Sequence, residues 1–204
     1  LLLDEPLSAL DRSLRDSLQT EIKDVQRRTG ASVLYVTHDQ EEALRLSDRI
    51  AVVNHGKVEQ VGTPSEVYDA PASLFVAGCL GETNILSCTA ADCRANHARV
   101  EYAAGDGIVN IGSKNIQNAG TKGFVAIRPE HVQFSEAGST SANRLRGTVV
   151  EVAFLGAVVR YRIMVAGKDF IVRRAPADSQ DPYALIGKDV ELGWKEEDAS
   201  FFWE

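Results

Sequence analysis

The chain has 204 residues, of which 44% are hydrophobic and 25% are charged, and its net charge is −7. These values are ordinary for a globular protein, and the acidic balance without a basic and aromatic groove argues against a nucleic-acid-binding surface. No apolar run is long enough to cross a membrane. The three cysteines lack the spacing of zinc ligands, so we predict free thiols.

A run of three leucines opens the chain and leads directly into Asp4 and Glu5, which Pro6 follows. An apolar run without alternation predicts a strand that is buried on both faces of a parallel sheet. Because Pro6 cannot donate to a sheet and favours an extended Glu5, we expect the strand to end there. The two carboxylates would then lie at the carboxyl end of a strand, where open α/β sheets bind ligands. The alternative is a solvated strand end without a ligand.

A second apolar segment, residues 33–36, ends in Thr37, His38 and Asp39. Between the two segments, Asp11 suits the N-cap of a helix with an apolar stripe that we expect to be core. The stripe consists of Leu14, Leu18, Ile22 and Val25. A strand, a helix and a strand form the right-handed unit of a parallel sheet, whose strand ends lie at one edge. We therefore expect His38 to lie close to the acidic pair.

The following segment, to residue 80, predicts three short helices and a hairpin. Asp39 suits the cap of the first helix, and Thr63 with Pro64 suits the start of the second. The hairpin turn is predicted at residues 54–57, and an apolar helix is predicted within residues 72–80.

From Gly81 onwards the pattern changes to short alternating strands between glycine-rich turns, which is typical of a small barrel or sandwich. We therefore predict two domains, 1–80 and 81–204. The predicted strands are Ile85–Thr89, Ala98–Tyr102, Gly107–Ile111, Gly123–Arg128, Gly147–Leu155, Ala157–Val165, Asp169–Arg173, Asp189–Trp194 and Ser200–Trp203.

Two details of these strands are specific predictions. The clearest alternation is on two neighbouring strands, where every second residue is predicted to face the core. These residues are Val150, Val152 and Phe154 on one strand and Val159, Tyr161, Ile163 and Val165 on the next. The terminal aromatic cluster, residues 201–203, is best explained by a tail strand docked on the barrel, and next best by a dimer contact.

Three segments of the first half resemble known motifs. Residues 1–6 resemble a Walker B motif, residues 8–11 a D-loop and residues 37–39 a switch-histidine loop. In this order they resemble the ATP-binding subunit of an ABC transporter. The second and third motifs disfavour a helicase-type ATPase, which also carries an Asp-Glu pair.

The resemblance implies a role for each candidate site residue. Asp4 would hold Mg²⁺, Glu5 would polarise the attacking water, and His38 would reach the γ-phosphate of ATP. Asp11 would lie with the nucleotide at the interface between two nucleotide-binding domains. The first half is thus expected to be an α/β, partial RecA-like lobe of a P-loop NTPase.

The second half resembles the transport-associated OB (TOBE) domain, an all-β regulatory domain of importer ATPases. The matching segments are residues 81–84, 127–131, 143–149 and 154–156. The resemblance implies an importer of the polyamine, iron or sugar type. Its implied partners are a second copy of the chain, the transmembrane subunits and, through them, a solute-binding protein. It also implies a cytoplasmic location at the inner face of the cell membrane.

Arg128 and Glu130 could face a ligand, but a structural turn with an ion pair at the barrel rim is favoured.

The sequence contains no Walker A loop with its lysine, no glutamine loop and no Ser-Gly-Gly-Gln signature. We therefore expect the chain to be the carboxyl-terminal portion of a longer ATPase and to be inactive by itself. The alternative function is a regulatory β-domain that senses a small molecule or a partner and carries a remnant of an ATPase.

Overall fold

The computed structural model of the protein describes residues 1–94, 97–102, 108–111, 119–135, 143–176 and 181–203. The chain divides into two compact units, Leu1–Gly81 and Glu82–Glu204. Within the described ranges, no helix has the length and apolar character needed to cross a membrane.

The first unit contains the predicted strand–helix–strand arrangement. Its elements are β1 Leu2–Asp4, α1 Arg12–Thr29, β2 Leu34–Val36, α2 Gln40–Leu46, β3 Ile50–Asn54, β4 Lys57–Gly62, α3 Pro64–Asp69 and α4 Leu74–Cys79. β1 and β2 are parallel, with Leu3 opposite Tyr35 and Asp4 opposite Val36. The predicted parallel pairing across α1 is therefore confirmed.

The prediction that β1 is buried on both faces is wrong. Leu2 is 78% exposed and Leu34 is 62% exposed, whereas Leu3 and Tyr35 are half-buried. The expected core stripe of α1 is also incomplete, because Leu14 and Val25 lie on the surface. The physical reason is that β1 and β2 form a sheet of two strands in the described chain, which is too narrow to bury both of its faces.

The hairpin and the short helices of this unit follow the local sequence signals. His55 and Gly56 both have positive φ, 45° and 77°, as a two-residue turn of this hand requires. Thr63 forms a capping box with Glu66, and Pro64 occupies the first turn of α3. One face of the hairpin packs on α3 and α4 in a small core, whose buried members are Ile50, Val52, Val67, Val76 and Leu80.

The second unit is built from antiparallel strands, with 3₁₀ turns at Pro182–Leu185 and Glu196–Asp198. The strands are β5 Asn84–Arg94, β6 His97–Tyr102, β7 Ile108–Ile111, β8 Lys122–Ile127, β9 Gln133–Phe134, β10 Asn143–Phe154, β11 Val159–Val165, β12 Lys168–Arg174, β13 Asp189–Trp194 and β14 Ala199–Trp203. The predicted strands are confirmed with shifted ends, and β9 is an addition. Gly107, the first residue of one predicted strand, lies outside the described residues.

These strands form two five-stranded sheets, β12-β11-β10-β13-β9 and β14-β8-β5-β6-β7. Both sheets contribute to one hydrophobic core, with Leu86 and Ile127 from one sheet and Phe170 and Trp194 from the other. The Phe170 and Trp194 rings stack with centroids 6.2 Å apart. β14 pairs with β8 along its whole length, which confirms the prediction of a docked tail strand.

The inward pattern predicted for β10 is wrong in part. Val149 and Val152 are buried, whereas Val150 and Phe154 are exposed. The register against β11 shifts between Val149 and Glu151, and such a bulge inserts a residue that reverses the alternation of faces. The facing pattern on β11 is confirmed, because its four predicted core residues are all buried.

Two cysteines are free thiols, the half-buried Cys79 and the buried Cys88. Burial raises the pKa of the Cys88 thiol to about 12, so this thiol stays protonated. The side chain of Cys93 lies outside the described part of the chain.

A buried amide joins the two sheets of the second unit. Asn84 at the start of β5 donates to the carbonyl of Ile171 (2.8 Å) and accepts from its N–H (2.7 Å). Ile171 lies on β12, which is the edge strand of its sheet. The side-chain amide of Asn84 therefore pairs with backbone groups that a further strand would otherwise bind. The Asn84 side chain is 4% exposed, so water cannot replace it.

We expect Asn84→Ala to lower the free energy of unfolding of the second unit by about 1–3 kcal/mol, because it leaves buried backbone groups unpaired. Both tryptophans of the chain lie in this unit, so denaturant unfolding can be followed by tryptophan fluorescence. Gln133→Ala removes an exposed amide from the same unit and serves as the control. Equal stability of the two variants would contradict the structural role of Asn84.

Candidate functional site

Glu5 begins a turn directly after β1. Its N–H donates to the carbonyl of Val36 (2.9 Å), and its own carbonyl accepts from the N–H (3.3 Å) and Oγ (3.0 Å) of Ser8. The predicted extended conformation is wrong, because Glu5 has a φ of 44°. The preference set by Pro6 is overridden because hydrogen bonds hold the residue from both sides.

The side chains of Glu5 and His38 are in direct contact. His38 Nδ1 lies 3.0 Å from Glu5 Oε1, and both side chains are open to solvent. The predicted proximity of this carboxylate and this imidazole is therefore confirmed. Asp4 is also exposed, and its pairing with Val36 places it at the same end of the two strands.

The contact changes the acid–base properties of His38. The hydrogen bond to Glu5, and then the charge of Glu5, raise the pKa of His38 above its ordinary value. The imidazole is thus biased towards its protonated form, in which both ring nitrogens are donors.

The loop that carries His38 is held on both sides. Asp39 caps α2, since its Oδ1 accepts from the N–H groups of Glu41 (2.9 Å) and Glu42 (3.3 Å). Thr37 Oγ1 accepts from the N–H of Asp39 (2.9 Å). The predicted cap is confirmed, and it determines where the loop ends.

A buried carboxylate beneath this loop was not identified from the sequence. Glu42 is 2% exposed, and its Oε2 accepts from the hydroxyls of Tyr35 (3.0 Å) and Thr37 (2.8 Å). Burial, and then the hydrogen bond to Glu42, raise the pKa of Tyr35. The sequence predicted only a short helix capped by Asp39, which includes this residue. Its burial follows from its partners Tyr35 and Thr37, which the local pattern does not specify.

Arg15 connects the His38 loop to the segment after β1. Its Nη1 lies 3.0 Å from Asp39 Oδ2, and its Nη2 donates to the carbonyl of Leu10 (3.2 Å). Its Nε lies 3.8 Å from Glu42 Oε1. One guanidinium therefore contacts the segment that resembles a D-loop and the segment that resembles a switch-histidine loop.

Asp11 caps α1 by accepting from the N–H of Leu14 (3.0 Å), as predicted. This hydrogen bond lowers the pKa of its carboxyl group. A role for Asp11 at a nucleotide or at an interface stays a prediction.

The carboxylates of this site fit a metal ion that water and phosphate oxygens also bind better than one that protein side chains enclose. Within the described residues, no group of three or more His, Cys, Asp or Glu side chains is placed to hold a metal ion. Mg²⁺ is commonly bound by one or two protein carboxylates together with water and phosphate oxygens. The exposed carboxylate of Asp4 fits that mode of binding.

Arg128 in the second unit has a structural environment. It is buried and donates to the carbonyl of Glu82 (3.4 Å) and to Thr83 Oγ1. The carboxylate of Glu82 in turn binds Arg160 (2.8 Å) and Arg173 (2.9 Å), and the hydrogen bond from Arg160 is the main cause of its lowered pKa. These contacts favour the structural interpretation of Arg128 over a ligand-facing one.

Comparison with known proteins identifies relatives of this chain. Residues 125–202 match the model of the TOBE domain, and relatives that match almost the whole chain are import ATP-binding proteins. The chain is therefore a relative of the ATP-binding subunits of ABC importers.

Three examples illustrate the range of these relatives. The chain is 40% identical to the spermidine/putrescine import ATP-binding protein PotA of Thermobifida fusca, covering 97% of this chain and 51% of the relative. It is 39% identical to the Fe(3+) ions import ATP-binding protein FbpC of Rhizobium etli (96% and 52%). It is 42% identical to the sulfate/thiosulfate import ATP-binding protein CysA 2 of Chromobacterium violaceum (86% and 46%). The chain thus spans about half the length of the curated relatives that it matches.

A solved structure shares the fold. The cytoplasmic molybdate-binding protein ModG aligns with a TM-score of 0.50 at 12% identity, covering 59% of this chain and 96% of ModG. At this identity the likeness concerns the fold alone. The TOBE prediction for the second half is supported by the family match over residues 125–202.

We expect Glu5→Gln to lower the pKa of His38 towards its ordinary value of about 6.5, because the variant loses the negative charge beside the imidazole. NMR titration of the His38 ring in the 204-residue chain measures this directly, with His38→Ala to assign the signal.

The same pair predicts a pH dependence of stability. A raised pKa in the folded state means that the pair stabilises the protein below about pH 6.5 and that this contribution is lost as the pH rises through the folded-state pKa. Glu41→Gln, which removes a carboxylate outside the contact, is the control. An unchanged His38 titration in Glu5→Gln would show that the pair does not form in solution.

Proposed function

We propose that the first unit is part of a RecA-like ATPase lobe of an ABC importer and that the second unit is its regulatory domain. In this proposal Asp4 holds Mg²⁺, Glu5 orients the attacking water and His38 binds the γ-phosphate of ATP. The observation that carries it is the 3.0 Å contact between Glu5 and His38 at the ends of two parallel strands. The similarity to ATP-binding subunits of importers supports the assignment.

The chemistry follows from the properties of the two side chains. The exposed carboxylate of Glu5 can accept a hydrogen bond from water and hold it in line with the phosphorus atom. His38 points Nδ1 at Glu5, which leaves Nε2 as the donor for a phosphoryl oxygen. Bound Mg²⁺ would neutralise the phosphate charge, and this chain contributes Asp4 to its coordination.

The groups that cradle the phosphates are not in this sequence, which has no glycine-rich loop ending in Lys and Ser or Thr. We therefore propose that hydrolysis requires a further part of an ATPase core. The exposed apolar face of β1 and β2, with Leu2, Leu34 and Val36, is suited to pack against such a part.

The proposed assembly is a homodimer at the cytoplasmic face of the membrane, bound to transmembrane subunits and served indirectly by a solute-binding protein. Asp11 would lie at the interface between the two ATPase units. The names of the relatives cover polyamines, iron and sulfate, so we propose a small solute as the cargo.

The proposal is tested in the ATPase assembled from the natural polypeptide that carries this chain. We expect Glu5→Gln and His38→Ala each to reduce kcat by about 10²- to 10⁴-fold while ATP binding persists, because positioned acid–base groups contribute factors of this size. Glu41→Gln is the matched control, since it removes an exposed carboxylate near the loop. Normal turnover of Glu5→Gln would remove this residue from the hydrolytic role.

We expect the purified 204-residue chain alone to show no turnover of Mg-ATP, because it has no phosphate-binding loop. A coupled phosphate-release assay checks this, with Glu5→Gln protein as the background. Turnover that exceeds this background would contradict the proposed division of the active site.

A further inference from the structure

The buried Glu42 and the half-buried Arg15 support the His38 loop. The carboxylate of Glu42 binds the hydroxyl of Thr37, the residue before His38, at 2.8 Å. The guanidinium of Arg15 binds the carboxylate of Asp39, the residue after His38, at 3.0 Å. The two supports lie 3.8 Å apart at their nearest charged atoms.

His38 itself has little other restraint. Its side chain is 73% exposed and its contact is with Glu5, which is also solvated. A solvated ion pair alone contributes little and does not fix a loop. The position of the imidazole therefore depends on its two chain neighbours, of which Thr37 is bound by Glu42 and Asp39 by Arg15.

The burial of Glu42 makes this support cooperative. A carboxylate removed from water is costly unless it is paired and hydrogen-bonded. Glu42 meets this condition only while the hydroxyls of Tyr35 and Thr37 and the guanidinium of Arg15 are all in place. Displacing the loop would break several of these contacts together, so the arrangement resists partial movement.

Arg15 also extends the support to a second segment. Its Nη2 donates to the carbonyl of Leu10, the residue before Asp11. The loop that carries His38 and the turn that leads to Asp11 are thus held by one side chain.

We propose that Glu42 and Arg15 are positioning residues that hold His38 in contact with Glu5 and keep its loop in register with the Leu10 turn. The inference rests on the proposed function, in which His38 acts on the γ-phosphate. Neither residue is required to touch the nucleotide, and the effect of Glu42 on turnover passes through His38.

The first test measures kinetics in the assembled ATPase. We expect Glu42→Gln to lower kcat by about 10- to 100-fold with an unchanged KM for Mg-ATP, because small displacements of a reacting group have effects of this size. Glu41→Gln is the matched control, since it removes the same charge from the same helix turn and leaves kcat unchanged. Arg15→Lys, with Arg12→Lys as its control, gives a second variant should Glu42→Gln fold poorly.

A double-mutant cycle separates positioning from general stability. In a His38→Ala background, Glu42→Gln should have no further effect on kcat, because the group through which Glu42 acts is gone. Effects that add to that of His38→Ala would overturn the proposal, as would wild-type kcat in both single variants.

The second test needs no turnover. In the 204-residue chain, the ¹⁵N signal of His38 Nδ1 reports its hydrogen bond to Glu5 at a fixed pH. We expect Glu42→Gln and Arg15→Lys to shift it towards the value in Glu5→Gln, while Glu41→Gln and Arg12→Lys leave it unchanged. An unshifted signal overturns the positioning role. If the signal shifts but hydrolysis does not depend on His38, the positioning role of Glu42 and Arg15 stands and the proposed function is refuted.

Discussion

The register of β1 against β2 is the constraint on which the candidate site depends. With Asp4 opposite Val36, the N–H of Glu5 completes the ladder and its side chain meets His38. A slip of one residue would turn the side chains at the strand ends to the other face. Because β1 and β2 have three residues each, few hydrogen bonds define this register. Side-chain contacts beyond the strand ends, such as that between Glu5 and His38, therefore help to define the register.

Buried polar side chains hold chain segments in place in both units. In the first unit the solvated imidazole of His38 rests on a loop that the buried Glu42 and the half-buried Arg15 hold. In the second unit the segment that starts β5 is held by the buried Asn84 and Arg128. Buried polar groups that are fully hydrogen-bonded make one loop conformation much more favourable than its alternatives.

The two units differ in how completely they bury their apolar residues. The second unit has a continuous core to which both sheets contribute. The first unit has a smaller core between its hairpin and short helices, while the outer residues of β1 and β2 remain exposed. This difference fits the proposal that the second unit is an all-β domain with its own core and that the first unit is part of an ATPase that packs against a further layer.

The sequence by itself determined the elements whose signals are local. The caps at Asp11, Asp39 and Thr63, the hairpin turn and the strands of the second unit were predictable because they depend on neighbours in the chain. The order of the motifs also predicted the relatives that the chain matches, which are ATP-binding subunits of importers. The tertiary structure alone decided the exposure of Leu2, the left-handed Glu5, the bulge after Val149 and the burial of Glu42. Each of these depends on a partner outside the element itself, such as a covering layer, a facing strand or a hydroxyl on another segment, and periodicity cannot specify that partner.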